Sequence, residues 1–290
     1  SARSSPYPAA PPFSAQIAAL PKLAARPDVL LKGVRLVAAL KRAGVQVFRG
    51  VVPVEIHGEP DGGVTGVSIR RTNGDVRRID ADAVGLGYHL RPETQLADLA
   101  GVPFAFDDET RQFLPIIDSD GRATVPGVYL AGDGAKVLGA DGAEISGHLA
   151  AFAALSDLGR HVDPARQAKL RREHARMERF RSGLATAFPW PHALAAGLAD
   201  DTVVCRCEGI TAGDLRGVAT GKGAAELNRA KALSRVGMGR CQGRYCGHAA
   251  AEIVSAATGQ SLEHVGRLRG QAPVKPLPVK TRSIAIGSVK

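Results

Sequence analysis

The residues best suited to chemistry are four cysteines, all placed between Cys205 and Cys246 of a 290-residue chain. They fall into two pairs. Cys205-Arg206-Cys207 is a C-x-C, and Cys241-Gln242-Gly243-Arg244-Tyr245-Cys246 is a C-x4-C. Four thiolates suit a soft metal, either one tetrahedral zinc or an iron–sulfur cluster. A 2Fe-2S cluster takes two cysteines per iron, and two close pairs meet that demand. Spacing alone leaves zinc and 2Fe-2S equally open. Disulfides fit less well, because a C-x-C bridge closes a tight, strained ring. Gly237, Gly239 and Gly243 let the backbone bend around a cluster and aim N–H groups at its sulfurs. A helix beginning at Cys246 would add the positive end of its dipole. Arg206, Arg240 and Arg244 can offset the net negative charge of an all-thiolate cluster.

A second signature is Thr124-Val125-Pro126-Gly127-Val128-Tyr129-Leu130-Ala131-Gly132-Asp133. An apolar strand here delivers a glycine and a carboxylate to the carboxyl end of a sheet, the edge at which α/β folds bind ligands. Gly132 permits close backbone approach, and Asp133 can accept hydrogen bonds from sugar-like hydroxyls. An ordinary strand ending in a Gly-Asp turn is the plain rival. Other candidates read as packing or surface groups. His148 follows the Asp133 motif on a helix, His248 sits beside the cysteines, and Trp190 suits packing between domains. Asp141 and Glu144 could pair, but no neighbouring nucleophile or base supports a hydrolase.

The elements that must position these groups follow from periodicity. Residues 29–43 carry apolar side chains at helical spacing, with Asp28 as the expected cap and Gly44 as the stop. Strand-like runs come next, at 45–48, 51–57, 64–71 and 75–79, parted by Asp61-Gly62-Gly63 and Asn73-Gly74. Residues 83–88 predict a buried strand, and Arg91-Pro92-Glu93-Thr94 opens a short helix. A strand pair is expected between 113–117 and 127–131, then a helix over 143–158. Residues 163–185 are so charged that they read as a solvated helical connector. Pro189-Trp190-Pro191 marks a boundary. Beyond it, Thr211 with Asp214 begins a helix. Further helices are expected over 224–235 and from Cys246 to Gly259, with Ser261 capping a fourth. Residues 1–13 should be irregular, and the proline-bearing tail beyond Gly270 extended.

Composition is that of an ordinary globular protein, 44% hydrophobic and 23% charged, which excludes wholesale disorder and collagen. The net charge of +10 invites a nucleic-acid reading, but 4% aromatics leave little material for base stacking. A solvated basic face, or one suited to an acidic partner or anionic cofactor, is the better reading. No apolar run approaches the length of a membrane span. Thiols clustered in one segment suit a reducing compartment. The start, Ser1-Ala2-Arg3-Ser4-Ser5-Pro6, has neither a signal-peptide pattern nor an initiator Met, so a processed chain or a fragment is expected.

The segments Val203-Val204-Cys205-Arg206-Cys207-Glu208-Gly209-Ile210-Thr211 and Arg235-Val236-Gly237-Met238-Gly239-Arg240-Cys241-Gln242-Gly243-Arg244-Tyr245-Cys246 closely resemble the bacterioferritin-associated-ferredoxin-like (BFD-like) 2Fe-2S domain. More narrowly, they resemble the version fused to flavoprotein subunits of opine oxidases, hydrogen cyanide synthase and dye-linked amino-acid dehydrogenases. The resemblance covers most of the chain. It implies that Cys205, Cys207, Cys241 and Cys246 ligate a 2Fe-2S cluster and moves zinc to second place. The 124–133 motif is similar to the second FAD fingerprint of two-dinucleotide-domain flavoproteins, in which the Asp binds the ribityl chain. That implies a cofactor role for Gly132 and Asp133. Asp82-Ala83-Val84-Gly85-Leu86-Gly87-Tyr88 and Arg91-Pro92-Glu93-Thr94 resemble the return from the NAD-like to the FAD domain. The implied fold is α/β, the C-terminal portion of a glutathione-reductase-like flavoprotein followed by a small, mainly helical 2Fe-2S domain. The implied divisions are 1–82, the end of an NAD(P)-like or inserted nucleotide-binding subdomain; 83–162, the return of the FAD domain; 163–200, a charged helical linker; 201–268, the cluster domain; and 269–290, an extended tail.

One departure matters. The strand–G-x-G-x-x-G–helix that holds the FAD pyrophosphate is absent, as is the second glycine motif of the NAD-like domain. The simplest expectation is the C-terminal part of a longer chain, unable to hold FAD tightly alone. By resemblance, the function is an FAD- and 2Fe-2S-dependent oxidoreductase subunit for CH–NH or CH–NH2 donors. Its expected partner is a flavoprotein subunit that oxidises an amine, amino acid or opine. A further candidate partner is a small ferredoxin-like subunit. No nucleic-acid or integral-membrane role is expected. The expected place is the cytoplasm, with peripheral contact to a respiratory chain at the inner face of the membrane. The alternatives are an NAD(P)H-dependent reductase with the same module, and a zinc-stabilised binding module that moves no electrons.

Overall fold

The computed structural model describes residues 13–274. The expectations for residues 1–12 and for the tail beyond 274 lie outside the described residues. The chain opens with two helices, α1 (Phe13–Leu23) and α2 (Pro27–Arg42). Pro27 sits in the first turn of α2, where its missing N–H costs nothing. Asp28 is not the cap. It lies inside the helix, and its carboxylate accepts from Arg26 at 2.9 Å. The apolar stripe of α2 is as expected, yet no residue of the helix is buried.

Strands β1 (Val51–Glu59), β2 (Gly63–Arg71) and β3 (Val76–Asp80) form an antiparallel meander in that order. Two expected strands do not form. Residues 45–48 and 83–88 are irregular, and Leu86, Tyr88 and Leu90 are exposed. A strand is stable only beside a neighbour that takes its N–H and C=O groups, and none of the described residues runs beside these two.

Short helix α3 (Gln95–Leu99) follows Thr94 as expected. Then comes the hairpin of β4 (Phe104–Asp107) and β5 (Gln112–Pro115), with Phe106 against Phe113. This corrects the expected pairing of 113–117 with 127–131. The local hairpin closes a four-residue loop, with Arg111 in the left-handed region at φ 53°, and a short loop costs less entropy than a long one. Residues 127–131 form no strand. An isolated bridge joins Tyr129 to Arg122, and the Leu130 N–H donates to the Gly121 carbonyl at 2.8 Å.

Helix α4 (Ala140–Asp157) packs against α5 (Pro164–Ala187). Helix α5 is more than a solvated rod. Met177, Gly183 and Ala187 are buried, and Ala187 closes a small core with Ala19 and Leu23 of α1. A Cβ on Gly183 would lie 3.0 Å from Leu23, so a larger residue there would have to move Leu23. Asp163 caps α5, accepting from the Ala165 N–H at 2.9 Å. After Pro189-Trp190-Pro191 comes α6 (His192–Ala196).

The last region contains β6 (Val203–Cys205), β7 (Ile210–Thr211), α7 (Ala212–Gly221), α8 (Leu227–Ser234), α9 (Gly247–Thr258) and α10 (Leu262–Val265). Leu215, Leu227, Val236, Ile253, Val254 and Val265 are completely enclosed in one core. Thr211 and Asp214 make a reciprocal capping box for α7, and Ser261 caps α10. Helix α8 starts later than its sequence pattern suggests, capped by Glu226.

Candidate redox site

Cys205 ends β6, Cys207 lies in the following turn, Cys241 sits in the 237–246 loop and Cys246 precedes α9. None is disulfide-bonded. Cys205 and Cys246 are buried, Cys241 is half-buried and Cys207 is exposed. The thiols meet in pairs: Cys246 is within hydrogen-bonding reach of Cys205, and Cys241 of Cys207. Cys241 and Cys246 also interact electrostatically. Among the described residues, no group of three or more His, Cys, Asp or Glu side chains is gathered around a single ion.

Glycine explains how the loop closes over Cys207. A Cβ on Gly239 would lie 2.1 Å from the Cys207 Cβ. Gly237 and Gly243 have φ of 75° and 78°, and a Cβ on either would lie 2.5 Å from Leu268. These are positions only glycine fills without displacing a neighbour.

The electrostatics fit a cationic centre. Burial, with Cys205 and Cys241 as neighbours, pushes the Cys246 thiol up to about 12. Burial also raises Cys241, but the Cys207 side chain and the backbone N–H groups of Tyr245, Gly243 and Arg244 outweigh it and leave the thiol below its ordinary value. A thiol that burial keeps protonated, as at Cys246, gives up its proton on binding a metal. Two thiol pairs with backbone donors aimed at a sulfur match the needs of a diiron centre with two thiolates per iron.

Of the three arginines expected near the sulfurs, only Arg244 is tied in. Its Nη1 donates to the Cys241 carbonyl at 3.2 Å and its Nε to Glu93 at 2.6 Å. Arg206 and Arg240 are exposed and make no hydrogen bond or ion pair among the described residues. Glu208, half-buried next to Cys207, pairs instead with Arg235 at 2.8 Å.

Gly132-Asp133-Gly134 forms a single 3-10 turn at the foot of α4. Gly132 has φ 54°, its N–H donates to Ser146 Oγ at 2.8 Å, and a Cβ there would lie 3.0 Å from that of Ala143. Asp133 is exposed, and its carboxylate has no partner among the described residues. An open glycine turn with a free carboxylate suits a polyhydroxyl ligand such as a ribityl chain. His148 is a surface residue, 4.0 Å from Glu144.

The two sites share a seam that sequence reasoning missed. Asp98, on α3, is buried and accepts from Arg267 at 2.8 and 3.0 Å, from Arg269 at 2.8 Å and from the Gly270 N–H at 2.6 Å. Arg111 in the β4–β5 loop makes a bidentate pair with Glu252 of α9 at 2.9 and 2.8 Å. Arg267 stacks over Phe104, 3.7 Å from the ring centroid. Trp190 lies edge-on between His89 and His248, with centroids 6.0 and 4.7 Å away. Burial holds the His248 imidazole down at about 4. The sequence held two signals for this seam: Trp190, expected to pack between domains, and Glu252, which interrupts an otherwise apolar face of α9.

Comparison with known proteins adds two matches. Residues 23–154 match the pyridine nucleotide-disulphide oxidoreductase family, and residues 203–256 match the BFD-like 2Fe-2S binding domain. The chain is 38% identical over 253 residues to an opine oxidase subunit of Agrobacterium tumefaciens (strain Ach5), covering 86% of this chain and 49% of that protein. It is 33% identical over 268 residues to hydrogen cyanide synthase subunit HcnB of Pseudomonas aeruginosa, covering 87% and 55%. The chain thus spans about half the length of these relatives. L-proline dehydrogenase from P. horikoshii shares the fold, with a TM-score of 0.59 at 21% identity over 86% of this chain and 47% of that one.

Proposed function

We propose that this chain, which joins a pyridine nucleotide-disulphide oxidoreductase region to a BFD-like 2Fe-2S binding domain, relays electrons within an oxidase of amines, amino acids or opines. The carrying observation is that the loop bearing Cys241 and Cys246 is tied to the Asp133 turn by hydrogen bonds through Arg244 and Glu93. Cys205, Cys207, Cys241 and Cys246 would hold the cluster, and Gly132 with Asp133 would meet the ribityl end of FAD. When bound, the flavin accepts an electron pair and the cluster carries electrons singly.

The chain's own residues bind, screen and orient. The core beneath Cys205 and Cys246 keeps water from the inner pair. Backbone N–H groups of residues 243–245 donate toward Cys241, and Arg244 adds positive charge beside it. Both relatives are by name subunits of larger enzymes. That supports placing substrate oxidation on a partner flavoprotein subunit; a small ferredoxin-like subunit is a further candidate partner. No helix among the described residues is long and apolar enough to cross a membrane. We place the complex in the cytoplasm, with peripheral contact to a respiratory chain.

The test is to isolate the complex, assay iron, acid-labile sulfide and flavin, and add amine, opine or NAD(P)H without oxygen. Bleaching of a brown chromophore by an amine or opine supports the proposal. Bleaching by NAD(P)H alone assigns a reductase instead. Zinc without sulfide overturns the electron-carrier reading. The 290-residue chain alone is expected to keep its cluster but lose FAD on gel filtration. Stoichiometric, slowly released FAD would contradict that.

A further inference from the structure

Residues 91–95 bind the cysteine loop and the Asp133 turn at once. The Glu93 N–H donates to the Asp133 carbonyl at 2.7 Å, and the Glu93 carboxylate accepts from Arg244 Nε at 2.6 Å. Arg244 Nη1 donates to the Cys241 carbonyl at 3.2 Å. Arg91 donates to the carbonyls of Gly243 at 3.3 Å and Arg244 at 3.2 Å, and Gln95 donates to that of Gln242 at 2.9 Å. Each carbonyl from Cys241 to Arg244 therefore accepts from a side chain. Arg91, Glu93 and Gln95 belong to the flavin-fold region, so the loop that carries two of the thiols is shaped from outside its own domain.

We propose that Glu93 is a positioning residue of the relay: through Arg244 it fixes the cysteine loop against the flavin turn and sets the charge felt by the cluster. This rests on the 2Fe-2S reading above. The Glu93–Arg244 pair is partly exposed, with side chains 44% and 23% accessible. Pairs of that kind contribute little to stability, so a stabilising role alone explains the arrangement poorly. Charge explains it better. Reduction adds an electron to a cluster that is already negative. A guanidinium beside Cys241 favours the reduced form, and the Glu93 carboxylate offsets that pull. Removing the carboxylate's charge therefore raises the potential, and removing the guanidinium lowers it. Opposite shifts from the two partners are a signature that a merely structural contact does not give.

The experiment is a redox titration of the visible spectrum of the cluster-loaded complex, with iron and sulfide assayed in every variant. Glu93→Gln is nearly isosteric and can still accept from Arg244. It is expected to keep full iron and sulfide and to shift the one-electron equilibrium toward the reduced form about tenfold, or about 59 mV. Glu93→Asp should restore most of the original value. Arg244→Gln should shift the equilibrium the other way, and it decides the matter if Glu93→Gln does not load. A loaded Glu93→Gln with an unchanged potential overturns the proposal, as does a shift of the same sign in both variants. Wild-type protein without iron and sulfide would instead sink the 2Fe-2S reading on which the proposal stands.

Discussion

The region after residue 200 and the stretch from α2 to residue 90 differ in how they treat apolar side chains. The first encloses Leu215, Leu227, Val236, Ile253, Val254 and Val265 in one core. The second leaves Leu31, Val34, Val37, Leu86, Tyr88 and Leu90 exposed. The cysteine-bearing unit thus supplies its own core, and metal binding adds folding energy to it. The faces of the other stretch have the composition of buried surface without an element over them among the described residues. A closed unit should respond steeply to single substitutions, and an open face should not. Four substitutions, ordered from the largest expected effect to the smallest, test that contrast.

Cys246→Ser should do most. Cys246 is 2% exposed, at the start of α9 and against Cys205. Serine cannot replace a thiolate on iron, so iron, sulfide and visible absorption should be lost together. Retention of full colour would mean that Cys246 is not a ligand. Gly239→Ala is a steric test of the same closure. Its new Cβ would lie 2.1 Å from the Cys207 Cβ, a backbone-borne clash that no rotamer relieves. Cluster content should fall severely while the far-ultraviolet circular dichroism of α7 and α9 persists. Normal loading would show that the loop opens more freely than its packing implies.

Asp98→Asn tests the seam between the regions. The Asp98 side chain is 2% exposed and faces Arg267 and Arg269. Breaking one side of such a buried pair costs about 3 kcal/mol, read as a lower denaturation midpoint. Burial alone would raise the Asp98 carboxyl, but Arg267, the Gly270 N–H and Arg269 hold it down at about 2. Because the folded value lies below the ordinary one, the stabilisation is present above about pH 4 and is lost as pH falls through 2. It amounts to about 2 kcal/mol. Wild-type should therefore lose stability in acid more steeply than Asp98→Asn, and parallel acid curves would refute the assignment.

The same contrast explains what could be read from the sequence. Thr211, Asp214, Gly259 and Ser261 act within one or two turns of their own helices, so local rules place them. The C-x-C and C-x4-C motifs are legible for the same reason, but the pairs that meet, Cys205 with Cys246 and Cys207 with Cys241, join the two loops and are set by the fold. Asp98 and Arg267 are 169 residues apart, and Glu93 reaches Arg244 across 151. No local pattern links such partners, and each reads as a solvated charge until the fold joins them. The failures at 83–88 and 127–131 have a related cause. Their apolar runs specify burial, but a strand also needs a neighbour, and β5 was taken by the nearer β4.

Val34→Ser should do least. Val34 is 59% exposed on the stripe of α2, a helix with no buried residue. Its spacing marks it as a core position, and in a closed unit such a change would cost a few kcal/mol. Valine and serine have similar helix propensity, and substitutions away from packed features usually fall within about 0.5 kcal/mol. The denaturation midpoint of this chain should therefore be unchanged. The same substitution in a longer polypeptide that covers α2 should be costly, because burial would then be removed. A large loss in this chain alone would mean that the α2 face is already covered in solution, by self-association for example. Sedimentation at several concentrations would then show mass above 30.2 kDa, and the distinction between a closed cluster unit and an open flavin-side face would fail.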